Sequence, residues 1–268
     1  MTDALLTALA ALPMLEAGHV WLAGAGPGDP GLLTLQVVSA LSQADVVVHD
    51  ALVDARVLAL AAPRAQFEFV GKRGGKPSIA QASITERLIA LARGGHRVLR
   101  LKGGDPCVFG RGGEEALALA RANVPFRILP GITAGLAALT IASIPATLRG
   151  VNHALIFVTG KSGDGEDGVD WAALARTGQP IVLYMGLGNF AAIAGALIDA
   201  GLDVREPVAL IASATLPEQR ILVSELGKAA SEAKSFGFEA PAIIVIGGIV
   251  RVRAEFEALA ARLAELVA

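Results

Sequence analysis

The feature that most constrains this chain is a recurring succession: a short apolar run, a glycine turn, then a helical pattern. "HVWLAGAGPGDPGLLTL", "FEFVGKRGG" and "HRVLRLKGGDP" all show the run and the turn. "DVVVHD" is a continuous β-branched run, as expected of a parallel strand buried on both faces. Between these runs, "GLLTLQVVSALSQA", "DARVLALA", "SITERLIALARGG" and "GGEEALALARAN" carry apolar residues at helical spacing. Ser83 and Glu86 read as a capping box at the start of the third helix, and Gly94-Gly95 as its stop. "PFRILPG" and "TAGLAALTIASI" add a further strand and helix. Strands alternating with helices predict an α/β chain.

A second series begins near Gly150. "HALIFVTG", "PIVLYMG", "PVALIAS", "RILVSEL" and "PAIIVIGGIV" predict five strands, with helices around Ala172, Ala191 and Ala229 and a last one from Ala254. The reading is an N-terminal arm (1–17), an N-terminal α/β domain (18–148) and a C-terminal α/β domain (149–268). Pro145 and Gly150 mark the connection. "KSGDGEDGVD" has no apolar period and reads as a loop.

Composition narrows the classes. Hydrophobic residues are 53% and charged residues 18%, so the chain can build a core. A net charge of −2 gives no footprint for nucleic acid. One cysteine, Cys107, permits no intrachain disulfide and no cysteine-rich metal site, and the histidines form no spaced pair, so no metal is expected. The N-terminus lacks a basic start and does not read as a signal peptide. The longest uncharged run, Ile132 to Leu148, is broken by Gly135 and Pro145. A soluble cytoplasmic protein with no membrane contact is expected.

Gly26-Pro27-Gly28-Asp29-Pro30-Gly31 matches G-x-G-x-x-G, and Asp50 falls about where a dinucleotide fold places its ribose acid. The chemistry does not follow the letters. A pyrophosphate loop presents backbone N–H groups and a helix N-terminus. Pro27 and Pro30 have no N–H and stiffen the loop. Such a loop better suits packing against an uncharged part of a ligand.

Glycine turns after three predicted strands suggest a shared cleft at one sheet edge. Lys72, Arg73, Lys76, Lys102, Arg111 and Arg149 lie in or beside glycine turns. Cations converging there would bind a polyanion, arginine being suited to carboxylates. Asp50 is the acid best placed to face that cleft, with a helix-cap role as the plainer reading. Glu114 suits the positive end of a helix. Met185 ends another strand, where methionine is commonly core.

"GAGPGDPGLLTL", "ADVVVHDALV", "FVGKRGG", "VLRLKGGDPCVFGRGGEEA", "PFRILPGITAG", "IPATLRG", "FVTG", "DWAALA", "LYMGL", "LPEQR" and "PAIIVIGGIV" resemble, in order, the motifs of the tetrapyrrole methylases. Within that superfamily, "VGKR", "RLKGGDP-x-x-FGRGGEE" and "PGIT" resemble the uroporphyrinogen-III C-methyltransferase group. The likeness runs from about residue 18 to residue 252. It implies two α/β domains with a ligand trough between them and a homodimer. It implies S-adenosylmethionine as methyl donor, leaving S-adenosylhomocysteine. The acceptor would be uroporphyrinogen III, methylated at C2 and then C7 to give precorrin-2 by way of precorrin-1. That product feeds cobalamin, sirohaem and haem d1 synthesis. A fused dehydrogenase–chelatase segment is not expected.

Matched by motif, the cofactor contacts would be Pro27, Gly103, Gly104, Asp105, Val108, Thr133, Ala134, Met185 and Ala214. Asp50 matches the group's proton acceptor and Lys72 its proton donor. Arg111, Glu114 and Arg149 match tetrapyrrole contacts, Arg111 as a carboxylate clamp in preference to a base. His49, Ala51, Cys107, Leu148, Lys161, Ala214 and Gly248 depart from the usual residues, and none removes a matched catalytic group. Two enzyme alternatives stay open: a methylase of a later precorrin, and an NAD-dependent oxidoreductase carrying the opening glycine pattern. A non-catalytic cofactor-binding domain is disfavoured by the presence of Asp50, Lys72, Arg111 and Met185.

Overall fold

The structure, a computed structural model, describes residue 7 and residues 11–71, 81–161 and 168–267. Most of the expected N-terminal arm, the basic loop carrying Lys72, Arg73 and Lys76, and most of "KSGDGEDGVD" lie outside the described residues. The chain divides into two compact units, Met1–Ala134 and Gly135–Ala268.

The first unit is a five-stranded sheet in the order β3-β2-β4-β1-β5. Its strands are β1 (Val20–Gly24), β2 (Val46–His49), β3 (Gln66–Phe69), β4 (Val98–Lys102) and β5 (Phe126–Leu129). All its pairings are parallel. The helices are α1 (Leu35–Gln43), α2 (Ala55–Leu58), α3 (Gln81–Arg93) and α4 (Gly112–Arg121). Residues alternate between faces, as a pleated strand requires. Trp21, Ala23, Val47, Leu99 and Leu101 pack on Val37, Ala40 and Leu41 of α1 and Val57 of α2. Val20, Leu22, Val46, Val48 and Val98 pack on Leu88 and Leu91 of α3 and Ala116 and Leu119 of α4. Each of the valine and leucine side chains, fully buried, contributes about 1.5–3 kcal/mol. Leu15 is buried in the first of these clusters, so the end of the expected arm is anchored in the core.

The loops leaving β1 and β4 lead to helices on opposite faces, although the two strands are neighbours. That is the switch point at which open α/β sheets form their ligand crevice. The expected capping box is corrected. Ser83 is the third residue of α3, which is already helical from Gln81, so it cannot be the N-cap. The expected stop holds: Gly95 turns the chain with φ +80°.

The second unit is a five-stranded sheet in the order β6-β7-β10-β8-β9. Its strands are β6 (Ile156–Thr159), β7 (Ile181–Tyr184), β8 (Pro207–Ala212), β9 (Arg220–Glu225) and β10 (Ala242–Ile246). Only β6 and β7 pair in parallel; β10 runs against both β7 and β8, and β8 against β9. The connection between β8 and β9, 213–219, is too short for the crossover that a parallel pair needs, so these two strands pair antiparallel. Helices α5 (Ala134–Ile141), α6 (Trp171–Arg176), α7 (Phe190–Asp199), α8 (Leu226–Ser235) and α9 (Val252–Val267) complete the unit. Phe190, Ile193 and Leu197 of α7 and Leu226 and Ala229 of α8 pack on Leu183, Leu210 and Ile244 of the sheet.

The division between units falls at Ala134/Gly135, upstream of the connection expected at 148/149. The cause lies in α5. The Gly135 N–H donates to the Tyr184 hydroxyl at 2.9 Å, and a Cβ on Gly135 would lie 2.9 Å from Val182 Cγ1. Arg253 of α9 donates to the Ala142 carbonyl. These bonds tie α5 and its C-terminal end to β7 and α9 of the second unit.

At the switch point, a Cβ on Gly24 would lie 2.5 Å from the Gly104 carbonyl oxygen and 2.6 Å from Gly131 Cα. Both atoms are backbone and cannot rotate away. Gly24→Ala is expected to lower stability by about 1–3 kcal/mol, read as a fall in the urea midpoint with an unchanged slope.

Candidate active site

The first sheet ends along one edge in the loops that follow β1, β2, β4 and β5. Three are knitted together. Gly26 N–H donates to Gly104 O at 3.1 Å and Gly104 N–H to Gly26 O at 2.7 Å. Gly26 has φ +67° and Gly104 φ +70°, conformations that glycine adopts without strain. Asp105 Oδ2 accepts from Gly131 N–H at 3.1 Å, and Oδ1 from Cys107 N–H at 2.8 Å. Asp105 therefore ties the β4 loop to the β5 loop. A Cβ on Gly103 would meet Leu52 Cβ at 2.7 Å, which packs the β4 loop on the β2 loop. Pro27, Gly103, Gly104, Asp105, Val108 and Thr133 all lie in this group of loops, with Ala134 at the start of α5.

The loop spends donors that the dinucleotide alternative would need. Gly26 N–H is taken by Gly104, and Gly31 N–H donates to Asp29 Oδ1 at 2.8 Å. Leu32 N–H and Leu33 N–H close a short 3-10 turn over Pro30–Leu32. Helix α1 starts only at Leu35, and Thr34 Oγ1 caps it by accepting from Val37 N–H. These N–H groups, and Val37 N–H in the first turn of α1, are spent within the loop, where a pyrophosphate would need them.

Asp50 follows β2, three-quarters buried. Its Oδ1 accepts from Leu52 N–H at 3.0 Å, and its Oδ2 lies 3.7 Å from Arg100 Nη2. Lys72, the other matched catalytic residue, lies outside the described residues. Lys102 corrects the expectation that it faces a polyanion. It is 4% exposed, on the side of β4 covered by α4, with Nζ 2.9 Å from Glu115 Oε1. Burial pushes its ammonium below the usual lysine range, and Arg100 beside it adds to this; Glu115 opposes both.

Beyond Val108 the chain twists into the left-handed region at Phe109 (φ +51°) and Arg111 (φ +58°). Non-glycine residues hold that conformation at a cost of about 1–3 kcal/mol each, and such strain concentrates at functional loops. Arg111 forks onto Glu114, with Nε 2.9 Å from Oε1 and Nη2 2.7 Å from Oε2. Its hydrogen bond holds the Glu114 carboxyl below the usual carboxylate range. Both side chains are more than half exposed. Arg111 is thus a fixed cation at the surface, which suits a clamp and not a base.

In the second unit β7 and β8 point the same way on either side of β10, so Met185 and Ser213–Ala214–Thr215 emerge at the same end. Three of these residues are left-handed: Met185 (φ +53°), Ser213 (φ +48°) and Thr215 (φ +71°). Thr215, β-branched, is the least suited to that region. Met185 is 52% exposed, so it is not the core methionine that its strand-end position favoured. Ser213 N–H donates to Pro241 O, and Thr215 N–H to Gln219 Oε1 at 2.8 Å, which hold Ala214 between them. Arg149 is exposed in a turn of this unit that Asn152 braces: its Oδ1 accepts from Leu148 N–H, and its Nδ2 donates to Ala146 O and Ala154 O.

Arg100 and Glu115 are the residues that sequence reasoning passed over. Both are almost fully buried and 3.4 Å apart. A signal was present: in "VLRLK", Arg100 and Lys102 share one face with Val98, and a charge on a face covered by helices must be paired.

The chain is similar to known proteins along most of its length. Residues 19–230 match the family of tetrapyrrole (corrin/porphyrin) methylases. A uroporphyrinogen-III C-methyltransferase from Sinorhizobium sp is 54% identical over 250 residues, covering 92% of this chain and 89% of that protein. A siroheme synthase from Zymomonas mobilis is 47% identical, and the chain spans 49% of its length. The uroporphyrin-III C-methyl transferase of Thermus thermophilus, solved with S-adenosylhomocysteine, superposes with a TM-score of 0.76 at 41% identity, over 87% of this chain and 99% of that one. A cobalt precorrin-4 methyltransferase superposes with a TM-score of 0.78 at 26% identity, over 90% of this chain and 99% of that one. By its sequence, its strand-end loops and its two α/β units, the chain belongs to the tetrapyrrole methylases.

Proposed function

We infer that this chain is an S-adenosylmethionine-dependent methyltransferase acting on C2 and then C7 of uroporphyrinogen III, giving precorrin-2 via precorrin-1. The observation that carries this is identity: 54% along nearly all of a uroporphyrinogen-III C-methyltransferase. Shape alone does not separate this reading from a methylase of a later precorrin, since a cobalt precorrin-4 enzyme superposes equally well. The product would enter cobalamin, sirohaem or haem d1 synthesis.

The donor fits the residues present. S-adenosylmethionine carries no phosphate, and the Gly26–Gly31 loop, with two prolines and its Gly26 and Gly31 N–H groups spent internally, is suited to a ligand without one. Pro27, Gly103, Gly104, Asp105, Val108, Thr133 and Ala134 would hold it, and Met185 and Ala214 are the further residues matched to it by motif. When bound it supplies an electrophilic methyl group. The left-handed backbone at Met185, Ser213 and Thr215 supports a binding role for that strand end. Arg111, Glu114 and Arg149 would meet the acceptor, whose eight carboxylates match exposed arginines. Once a ring carbon is methylated, a proton on the neighbouring meso carbon must leave, and Asp50 would accept it, with Lys72 as proton donor. A cytoplasmic homodimer completes the proposal. β5 is an edge strand, and its Phe126 and Ile128 are each 38% exposed, an apolar edge of the kind partners cover. Among the described residues no helix is long and apolar enough to cross a membrane.

Anaerobic incubation of the protein with uroporphyrinogen III and S-adenosylmethionine is expected to release S-adenosylhomocysteine and yield isobacteriochlorin-type absorbance on oxidation. Methylation of precorrin-2 alone would select the later-precorrin alternative. Asp50→Asn is expected to lower kcat by about 10²–10⁴-fold while calorimetry shows S-adenosylhomocysteine binding retained. For Arg111→Lys, loss of the fork should raise the KM for the tetrapyrrole about tenfold, with turnover little changed; the reverse pattern would overturn the clamp. Met185→Gly is expected to leave Tm unchanged or higher, because glycine relieves the left-handed strain, yet to weaken S-adenosylhomocysteine binding.

A further inference from the structure

Four charged groups of the first unit form a connected chain beneath the C-terminal ends of β2 and β4. Glu115, in the first turn of α4, is completely buried. Its Oε1 accepts from Lys102 Nζ at 2.9 Å and Gln81 Nε2 at 2.8 Å, and lies 3.4 Å from Arg100 Nε. Its Oε2 has no hydrogen-bond partner among the described residues. Arg100, 3% exposed, donates from Nη1 to the Leu101 carbonyl at 3.0 Å and the Val48 carbonyl at 3.4 Å. Its remaining nitrogen, Nη2, lies 3.7 Å from Asp50 Oδ2. The guanidinium is therefore gripped on one side by a carboxylate and by strand carbonyls. Its remaining side is turned to Asp50 at the sheet edge.

Stability is a poor reason for this cluster. Desolvating two cations and a carboxylate costs several kcal/mol per ion, and apolar residues of like volume commonly serve a core as well or better. One carboxylate oxygen left unpaired adds to that cost. Strand β4 is otherwise apolar and buried, so Arg100 and Lys102 are the exceptions on their face. What the cluster provides is a fixed guanidinium at a fixed distance from Asp50.

We propose that Glu115 and Arg100 are positioning residues for Asp50: Glu115 orients Arg100, and Arg100 orients the Asp50 carboxylate toward the proton it takes. The proposal rests on the reading of Asp50 as proton acceptor. After methylation the pyrrole ring is cationic. The meso C–H bond breaks, its electron pair becomes the new C=C bond and neutralises the ring nitrogen, and the proton goes to an Asp50 oxygen. A misaimed carboxylate slows that step alone. Displacements of about 1 Å can cost on the order of 10²-fold in rate.

The test is a set of three variants, Asp50→Asn, Glu115→Gln and Arg100→Lys. Each is assayed anaerobically with uroporphyrinogen III of natural abundance and with the same compound deuterated at its meso carbons. Tm and S-adenosylhomocysteine affinity establish that each is folded, and Arg100→Lys keeps the buried charge should Glu115→Gln fail to fold. Glu115→Gln and Arg100→Lys are expected to lower kcat about 10–100-fold with KM for both substrates little changed. Both should also show a larger isotope effect on kcat than wild type, because proton removal has become limiting. A structural role would lower rate or stability without enlarging the isotope effect. Wild-type kcat in both variants, or lowered kcat with a wild-type isotope effect, overturns the proposal. If Asp50→Asn enlarges the isotope effect and the other two do not, positioning alone is rejected. If Asp50→Asn fails to enlarge it, Asp50 is not the proton acceptor, and the proposal falls with that reading.

Discussion

The first unit depends on backbone meeting backbone at distances no side chain permits. Gly24, Gly104 and Gly131 stand where the ends of β1, β4 and β5 converge, and a Cβ on Gly24 would collide with main-chain atoms of both other loops. That closeness allows the reciprocal Gly26–Gly104 bridge and brings the Gly131 N–H to Asp105. The strand ends become one braced surface instead of three separate loops. A braced loop group can hold a ligand in a set orientation, and orientation is most of what a methyl transfer asks of a protein.

Charge is handled in two ways in the same unit. At the surface, Arg111 and Glu114 fork together in water, where such a pair contributes little to stability but fixes a cation's direction. Under the sheet edge, Arg100, Lys102 and Glu115 are removed from water and must satisfy one another. The net charge of −2 conceals both arrangements. A sum over the chain does not register where a charge sits or what it faces.

The second unit reaches its candidate loops through strain. Met185, Ser213 and Thr215 sit in the left-handed region without being glycine, just beyond the ends of the two strands that flank β10. The surrounding sheet holds them there: Ser213 is tied to Pro241, and Thr215 to Gln219. Gly160 and Gly186 make the same strand end compact, a Cβ on Gly160 lying 2.5 Å from Gly186 Cα.

Much was legible from residues alone. The alternation of apolar runs, glycine turns and helical periods placed the strands of both sheets, and most clearly the buried ones such as β2, β4 and β8, because burial on both faces imposes a local pattern. Pro27 and Pro30 already argued against a dinucleotide loop, since a missing N–H is a property of the residue itself. Three things were decided only in three dimensions. The start of α3 at Gln81 overrode the Ser83 capping signal. The membership of α5 in the second unit depended on Tyr184 and Arg253, both distant in sequence. The burial of Lys102 with Arg100 and Glu115 depended on which helix covers β4. Sequence determined the elements and the turn chemistry, because those follow from neighbouring residues. Tertiary structure decided the partners of each charge and the division of the chain, because burial and pairing are relations between residues that only the fold brings together.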